Sequence, residues 1–275
     1  MDIDLKVPAG WHELTPEQVV YVAKLYNLKL ERAEFLSFAF IKFSGIKVFH
    51  VLNIPFFKYF RFTKFALWLE RTLFKYNMQI EDTEDFWFSY NGQKFSLNTE
   101  AFRFFCEKLN FLTDKIHIMN PPKKLKGFHG PGSMAMDITL EEYLTADIYY
   151  LNVSRNESLK MEMICKMIAV LWRKKGETYY DGIVEKRYKK FLKLNPAVLT
   201  AVYQWWTGLK IWLKEQYPLA LTPGTGENSS QAEMIFGLLN VFNGGKPQDN
   251  ESLYKTKAHN ILWELNKKIE NSKKN

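Results

Sequence analysis

Thr139 to Gly176, TLEEYLTADIYYLNVSRNESLKMEMICKMIAVLWRKKG, is the stretch whose reading decides the fold. At its start Thr139 can accept a hydrogen bond from the Glu142 backbone N–H while the Glu142 carboxylate reaches back to the Thr139 N–H. That reciprocal capping box marks a helix start. Further on, Lys160, Ile164, Met167, Ile168 and Leu171 recur at helical spacing, with Arg173, Lys174 and Lys175 completing the last turn and Gly176 placed to end it left-handed. The spacing predicts a core helix hairpin. Glu141 and Glu142 read as capping and dipole groups rather than as a catalytic pair, because negative side chains are favoured at helix starts.

Downstream the pattern stays helical. Ile183 to Leu194 predicts a basic helix with Tyr188, Phe191 and Leu192 on one side, and Asn195-Pro196 then caps a long helix. In that helix Leu199, Val202, Trp206, Leu209 and Leu213 repeat at steps of three and four until Pro218 stops it. Past the loop LTPGTGENSS, a capping box at Ser230 and Glu233 opens a helix running to Asn243, and a last helix begins near Asn250 with Leu253, Leu262, Leu265 and Ile269.

Upstream, NPPKKLKGFHGPGS from Asn120 to Ser133 carries Pro, Gly and Lys without periodicity, as a linker or long exposed loop does. It divides the chain into an α+β part at 1–119, a linker at 120–136 and an all-helical part at 137–275. In the front part Thr15, Pro16 and Gln18 open a helix to Leu28, and Ile3 to Val7 alternates like an edge strand. Helices over Ala33 to Phe43 and Thr63 to Tyr76 flank an irregular piece with Gly45 and Pro55. The β signal is FWFSY-NG-QKFSL from Phe86 to Leu97, where Asn91-Gly92 is the pair a two-residue type I′ hairpin needs. An isolated hairpin is only marginally stable, so it must pack, and the helix from Glu100 to Leu112 with Phe102, Phe105 and Leu109 is the nearest candidate. Lys115 to Met119, KIHIM, reads as a further short strand. The fold class is therefore mainly α with a small β hairpin section in the N-terminal half.

At 275 residues and 47% hydrophobic composition the chain can fill a core without a covalent staple. Cys106 and Cys165 read as two buried thiols. No basic n-region precedes an apolar run at the start, which argues against a signal peptide, and the longest uncharged apolar run, Phe35 to Ile41, falls far below the roughly 18 residues of a membrane span. The net charge of +8 is concentrated between Phe35 and Tyr76, where seven cationic residues stand against Glu70 alone among eleven phenylalanines.

Catalytic signatures are missing: there is no HExxH, P-loop or GxSxG, the two cysteines lack zinc spacing, and His12, His50, His117, His129 and His259 are scattered. The glycines of GFHGPGS lack the strand and helix that make such a loop bind phosphate. No catalytic residue, cofactor site or metal site is expected. Trp205 projects about 100° from the apolar stripe of its helix and Trp212 lies at the stripe's margin, so both are candidates for a protein interface. In the basic Phe-rich window, Lys58, Arg61 and Lys64 could neutralise phosphates while rings stack on bases. The same window could lie on an anionic membrane surface, or its phenylalanines could be core with lysine stems along the rim.

W-x-E-L-T-P-E-Q at the head of Trp11 to Leu28, L-E-E-Y-x-x-A-D at Leu140 to Asp147, I-A-V-L-W-R at Ile168 to Arg173 and N-I-L-W-E-L near the end together resemble uncharacterised proteins encoded among the tail and virion-assembly genes of bacteriophages and prophages. The resemblance covers most of the chain, and its motifs form helices. It implies a non-enzymatic protein such as a tail assembly chaperone or adaptor, in the bacterial host cytoplasm or the virion. Its partners would be other phage structural or assembly proteins, or its own copies. The alternative is a nucleic-acid-binding protein using the window 35–76.

Overall fold

The computed structural model describes residues 5–51, 54–55, 86–114, 118, 120–155, 157–180, 182–221 and 250–273, and the chain divides into two compact units, Met1–Ile116 and His117–Asn275. The predicted helices at Thr63 to Tyr76 and Ser230 to Asn243, most of the strand at Lys115 to Met119, and Lys58, Arg61 and Lys64 lie outside the described residues. So do the first two residues of the expected edge strand, whose remaining residues 5–7 carry no regular structure. The protein is mainly α with a small β section.

In the first unit α1 (Pro16–Asn27) starts on the predicted box, with Thr15 N donating to Gln18 Oε1 at 2.8 Å and Gln18 N donating to Thr15 Oγ1 at 3.2 Å. Helix α2 (Arg32–Ser44) ends at Gly45, whose φ of 71° is the left-handed cap that favours glycine. Four strands follow, β1 (Lys47–Val51), β2 (Ile54–Pro55), β3 (Phe86–Tyr90) and β4 (Gln93–Leu97), in the order β2-β1-β3-β4, all antiparallel. Tyr90 pairs with Gln93 across Asn91 (φ 49°) and Gly92 (φ 80°), the left-handed pair that the Asn-Gly dipeptide predicts. Strand β1 falls in the piece read as irregular. A bulge between Val48 and His50 breaks its alternation, and dense flanking aromatics hide the rest.

Helix α3 (Thr99–Glu107), capped by Asn98 Oδ1 accepting from Ala101 N at 2.8 Å, packs on the hairpin as expected. Phe88 stacks on Phe102 at 5.6 Å, and Phe40 of α2 meets Phe102 edge-on at 5.5 Å and stacks on Phe105 at 5.6 Å. Phe35, Phe38, Phe40 and Phe43 are all buried, so the described beginning of the Phe-rich window is core.

In the second unit α4 (Leu140–Arg155) and α5 (Lys160–Leu171) form the predicted hairpin, followed by α6 (Ile183–Phe191), α7 (Pro196–Gln216), α8 (Pro218–Leu221), α9 (Asn250–Tyr254) and α10 (Ala258–Ser272). Helix α5 ends earlier than its spacing predicts. Trp172 is extended, and Arg173 pairs with His129 as a β bridge, His129 N donating to Arg173 O at 2.7 Å and Arg173 N to His129 O at 2.9 Å. Gly176, at φ 77°, serves a turn beyond the helix rather than its cap. The last helix is likewise divided, because Leu140 N donates to Thr256 O at 2.8 Å and Ala258 N to Ile138 O at 3.0 Å. In α6 it is Ile183, Val184, Arg187 and Phe191 that face inward, and Leu192 is exposed.

The stretch 120–136 belongs to the second unit and is packed, not a linker. It carries β5 (Lys124–Leu125) and β6 (Phe128–His129), paired across a turn at Lys126 (φ 49°) and Gly127 (φ 83°), with Leu125, Phe128 and Ala135 buried. Trp172 Nε1 donates to Pro122 O at 3.0 Å. A Cβ on Gly130 would stand 2.7 Å from both Pro122 O and Trp172 Nε1, so glycine is required there. Phe102→Ala should lower stability by about 3–5 kcal/mol, read as a shifted urea midpoint, whereas truncating the exposed Phe104 should change it by under about 1 kcal/mol.

Candidate functional site

Charge is buried in the second unit, and each buried charge joins segments distant in sequence. Glu142 has no solvent exposure and carries out its capping role, accepting from Thr139 N at 2.8 Å while its own N–H donates to Thr139 Oγ1 at 3.2 Å. Arg173 Nη1 stands 2.9 Å from Glu142 Oε1, near enough for attraction but off the direction of a hydrogen bond. Burial raises the Glu142 carboxyl above its ordinary range, against the Thr139 hydrogen bonds and the Arg173 charge, which lower it.

One turn on, Asp147 is also wholly buried. Its Oδ1 accepts from Lys210 Nζ at 2.5 Å and Trp206 Nε1 at 3.5 Å, both from α7. Lys210 also lies over the Tyr150 ring at 4.9 Å, and Tyr150 OH bonds Thr207 Oγ1 at 3.1 Å. Asp147 Oδ2, Tyr143 OH, Gln204 Oε1 and Trp205 Nε1 are buried without a hydrogen-bond partner among the described residues. Burial, with Asp147 adding to it, raises the Tyr143 hydroxyl well above its usual value. Arg187 makes a third clamp: Nη1 donates to Trp172 O at 2.7 Å and Ala169 O at 3.3 Å, while Nη2 pairs with Glu177 at 2.8 Å. A carboxylate that serves a substrate has to reach it. Glu142 and Asp147 instead face packed helices, an arrangement suited to holding α4, α5 and α7 in register.

Trp205 is not the exposed interface residue that its position on the helical wheel suggests. It is 0% exposed, edge-on to Trp172 at 5.7 Å and to Trp206 at 5.6 Å, because α7 is covered on most of its circumference. A signal was present: no charged residue occurs between Lys193 and Lys210. Trp212 is half-buried against His259, ring centroids 5.7 Å apart. His259 joins Tyr217 OH at 3.1 Å to Met134 O at 2.9 Å, and burial lowers its pKa.

Cys106 and Cys165 are free and buried, each pushed up to about 12 by burial. Among the described residues no group of three or more His, Cys, Asp or Glu side chains could hold a metal ion, and no helix is long and apolar enough to cross a membrane. Gly132 N, in the glycine cluster considered for phosphate, donates to Asp137 Oδ1 at 2.7 Å. Searches against protein-family models, curated proteins and solved structures return no match.

Lys210→Met leaves the Asp147 charge buried without its cation and should cost about 3–5 kcal/mol in urea denaturation, with Asp147→Leu added to it restoring part of the loss. His259 is held neutral by burial, so the unfolded chain binds the additional proton below the ordinary histidine value of 6.5. Stability should therefore fall as pH drops below about 6.5, and His259→Gln should flatten that part of a melting-temperature profile.

Proposed function

We propose that this chain is a non-enzymatic bacteriophage or prophage assembly protein, of the tail assembly chaperone or adaptor type, acting through protein surfaces in the host cytoplasm or the virion. Its partners are other phage structural or assembly proteins, or further copies of itself. The helix-forming motifs at Trp11 to Leu28, Leu140 to Asp147, Ile168 to Arg173 and Asn260 to Leu265 support the phage reading. The observation that carries the interaction reading is Trp263. Helix α10 buries Ala258, His259, Ile261, Leu262 and Leu265, and holds Trp263 on its outer side, 51% exposed, with the Lys267 ammonium over its ring at 4.3 Å.

Tryptophan is enriched among the residues that dominate binding energy at interfaces, and Trp263 lies within the N-I-L-W-E-L motif. The pairing of the buried charges with one another supports a structural rather than chemical use of them. The alternative, nucleic-acid binding through Lys58, Arg61 and Lys64, draws on the charge of the 35–76 window alone.

Co-expression with the products of neighbouring phage or prophage genes should yield a complex that survives size-exclusion chromatography, and Trp263→Ala should weaken it at least tenfold while leaving the melting temperature within a few degrees. A wild-type chain that elutes as a lone monomer beside every such product would overturn the proposal.

A further inference from the structure

A second basic surface, distinct from the 35–76 window, is assembled by the tertiary structure of the second unit. The segments 121–130 and 173–193 together hold eleven lysines and arginines against three acids, Glu177, Asp181 and Glu185. Backbone pairing of His129 with Arg173 sets the β5–β6 hairpin beside the turn that carries Lys174 and Lys175. On the other flank Phe128 of β6 packs against Phe191 of α6 at 5.3 Å, with Arg187 at 5.1 Å and Lys190 at 5.8 Å over its ring. Hairpin, turn and helix thus adjoin one another. Lys123, Lys124, Lys126, Lys174, Lys175, Lys186, Lys189, Lys190 and Lys193 are all exposed. At 3.6 residues per turn Lys186, Lys189 and Lys190 share an arc of about 100° on α6, and Lys190 marks the hairpin side of that arc.

The described acids do not neutralise this surface. Glu177 pairs with Arg187 and accepts from Lys174 N at 2.8 Å, and Glu185 pairs with Lys166 at 3.0 Å on the α5 side of α6. Both arginines are engaged inward, Arg173 on Glu142 and Arg187 on Glu177 and the carbonyls of Ala169 and Trp172. What projects is therefore a set of lysines, compact point charges that neutralise phosphates without the planar fork that reads a base or grips a carboxylate.

From this placement we infer that the β5–β6 hairpin, the Lys174-Lys175 turn and α6 form a sequence-independent binding surface for the phosphate backbone of double-stranded nucleic acid. A duplex is favoured over a single strand because the aromatic rings among these lysines do not form a run of stacking platforms. Phe128 and Phe191 are buried, Tyr179 and Tyr188 are half-buried, and Tyr180 is the one exposed ring here among the described residues. It is favoured over an anionic bilayer because Tyr180 and Leu192 are the two large apolar side chains exposed within 121–130 and 173–193 among the described residues, and interfacial helices need a continuous apolar face. An assembly protein that carries this surface can meet partner and genome at once. The two activities are separable, since Trp263 serves the first and these lysines the second.

The test uses the full chain and fluorescence anisotropy with a labelled 25-base-pair duplex of arbitrary sequence, titrated from 50 to 200 mM KCl. A micromolar or tighter Kd is expected at the lowest salt, on the order of that for other non-specific binders, with a log–log salt slope of about −4 or steeper. Changing Lys124, Lys126, Lys189 and Lys190 to Glu, all exposed, should weaken binding at least tenfold and flatten the slope by about three, with the circular dichroism spectrum unchanged. A companion Lys58→Ala/Arg61→Ala/Lys64→Ala variant should retain most of the affinity. The inference is overturned by no duplex binding at 50 mM salt, by loss confined to the 58/61/64 variant, by tighter binding to the matching single strand, or by preferential binding to phosphatidylserine vesicles.

Discussion

Two carboxylates without solvent contact, Glu142 and Asp147 on the same helix, set the main constraint on the second unit. A buried charge without a partner costs several kcal/mol, so each carboxylate requires a cation brought in from elsewhere in the chain. Arg173 answers the first and Lys210 the second. Arg173 does so from beyond the end of α5, where the chain has left helical geometry after Leu171. That frees the Arg173 backbone to pair with His129 and brings the β5–β6 hairpin against the helices. Trp172, extended at this exit, then closes over Pro122 and Gly130. The ion pair, the helix end, the packed strap and a glycine that tolerates no side chain thus meet at one place in the unit.

The first unit is held by a different means. Its core is a run of ring contacts from Phe95 through Phe88 and Phe102 to Phe40 and Phe105, and they join the hairpin to α2 and α3. Aromatic pairs add about 0.5–1.5 kcal/mol each beyond the area they bury, which gives a hairpin too small to persist alone a surface to rest on. Glu34 is the buried acid here among the described residues, and it bonds the Glu31 backbone N–H at 3.3 Å within its own helix start. The distinction bears on function. The second unit fixes its charged groups internally and displays lysines and Trp263 outward, whereas the described part of the first unit uses its phenylalanines as core.

Helix starts and the hairpin turn were legible because each depends on residues three or fewer positions apart. Thr15 with Gln18, Thr139 with Glu142, Asn195 with Pro196 and Asn91 with Gly92 all act where their local chemistry places them. The candidate sites were legible only in part. Wheel geometry placed Trp205 off the main stripe correctly, but could not show that neighbouring elements cover that side of α7 as well. Exposed Trp263 was available as part of N-I-L-W-E-L, yet only the burial of Leu262 and Leu265 reveals that it faces away from the core. The lysines of 123–126 and 186–193 read as a loop and a basic helix until Phe128 and Phe191 are seen in contact.

By itself, then, the sequence determined the class of fold, the register of the β3–β4 hairpin and most helix beginnings, since these follow from φ preferences and hydrogen bonds between near neighbours. Only the tertiary structure decided where helices stop, which cation meets which carboxylate and which aromatic faces remain outside. Asp147 and Lys210 are 63 positions apart, and Arg173 meets His129 across 44. Pairings over such separations depend on how whole elements pack, and no local pattern of residues encodes them.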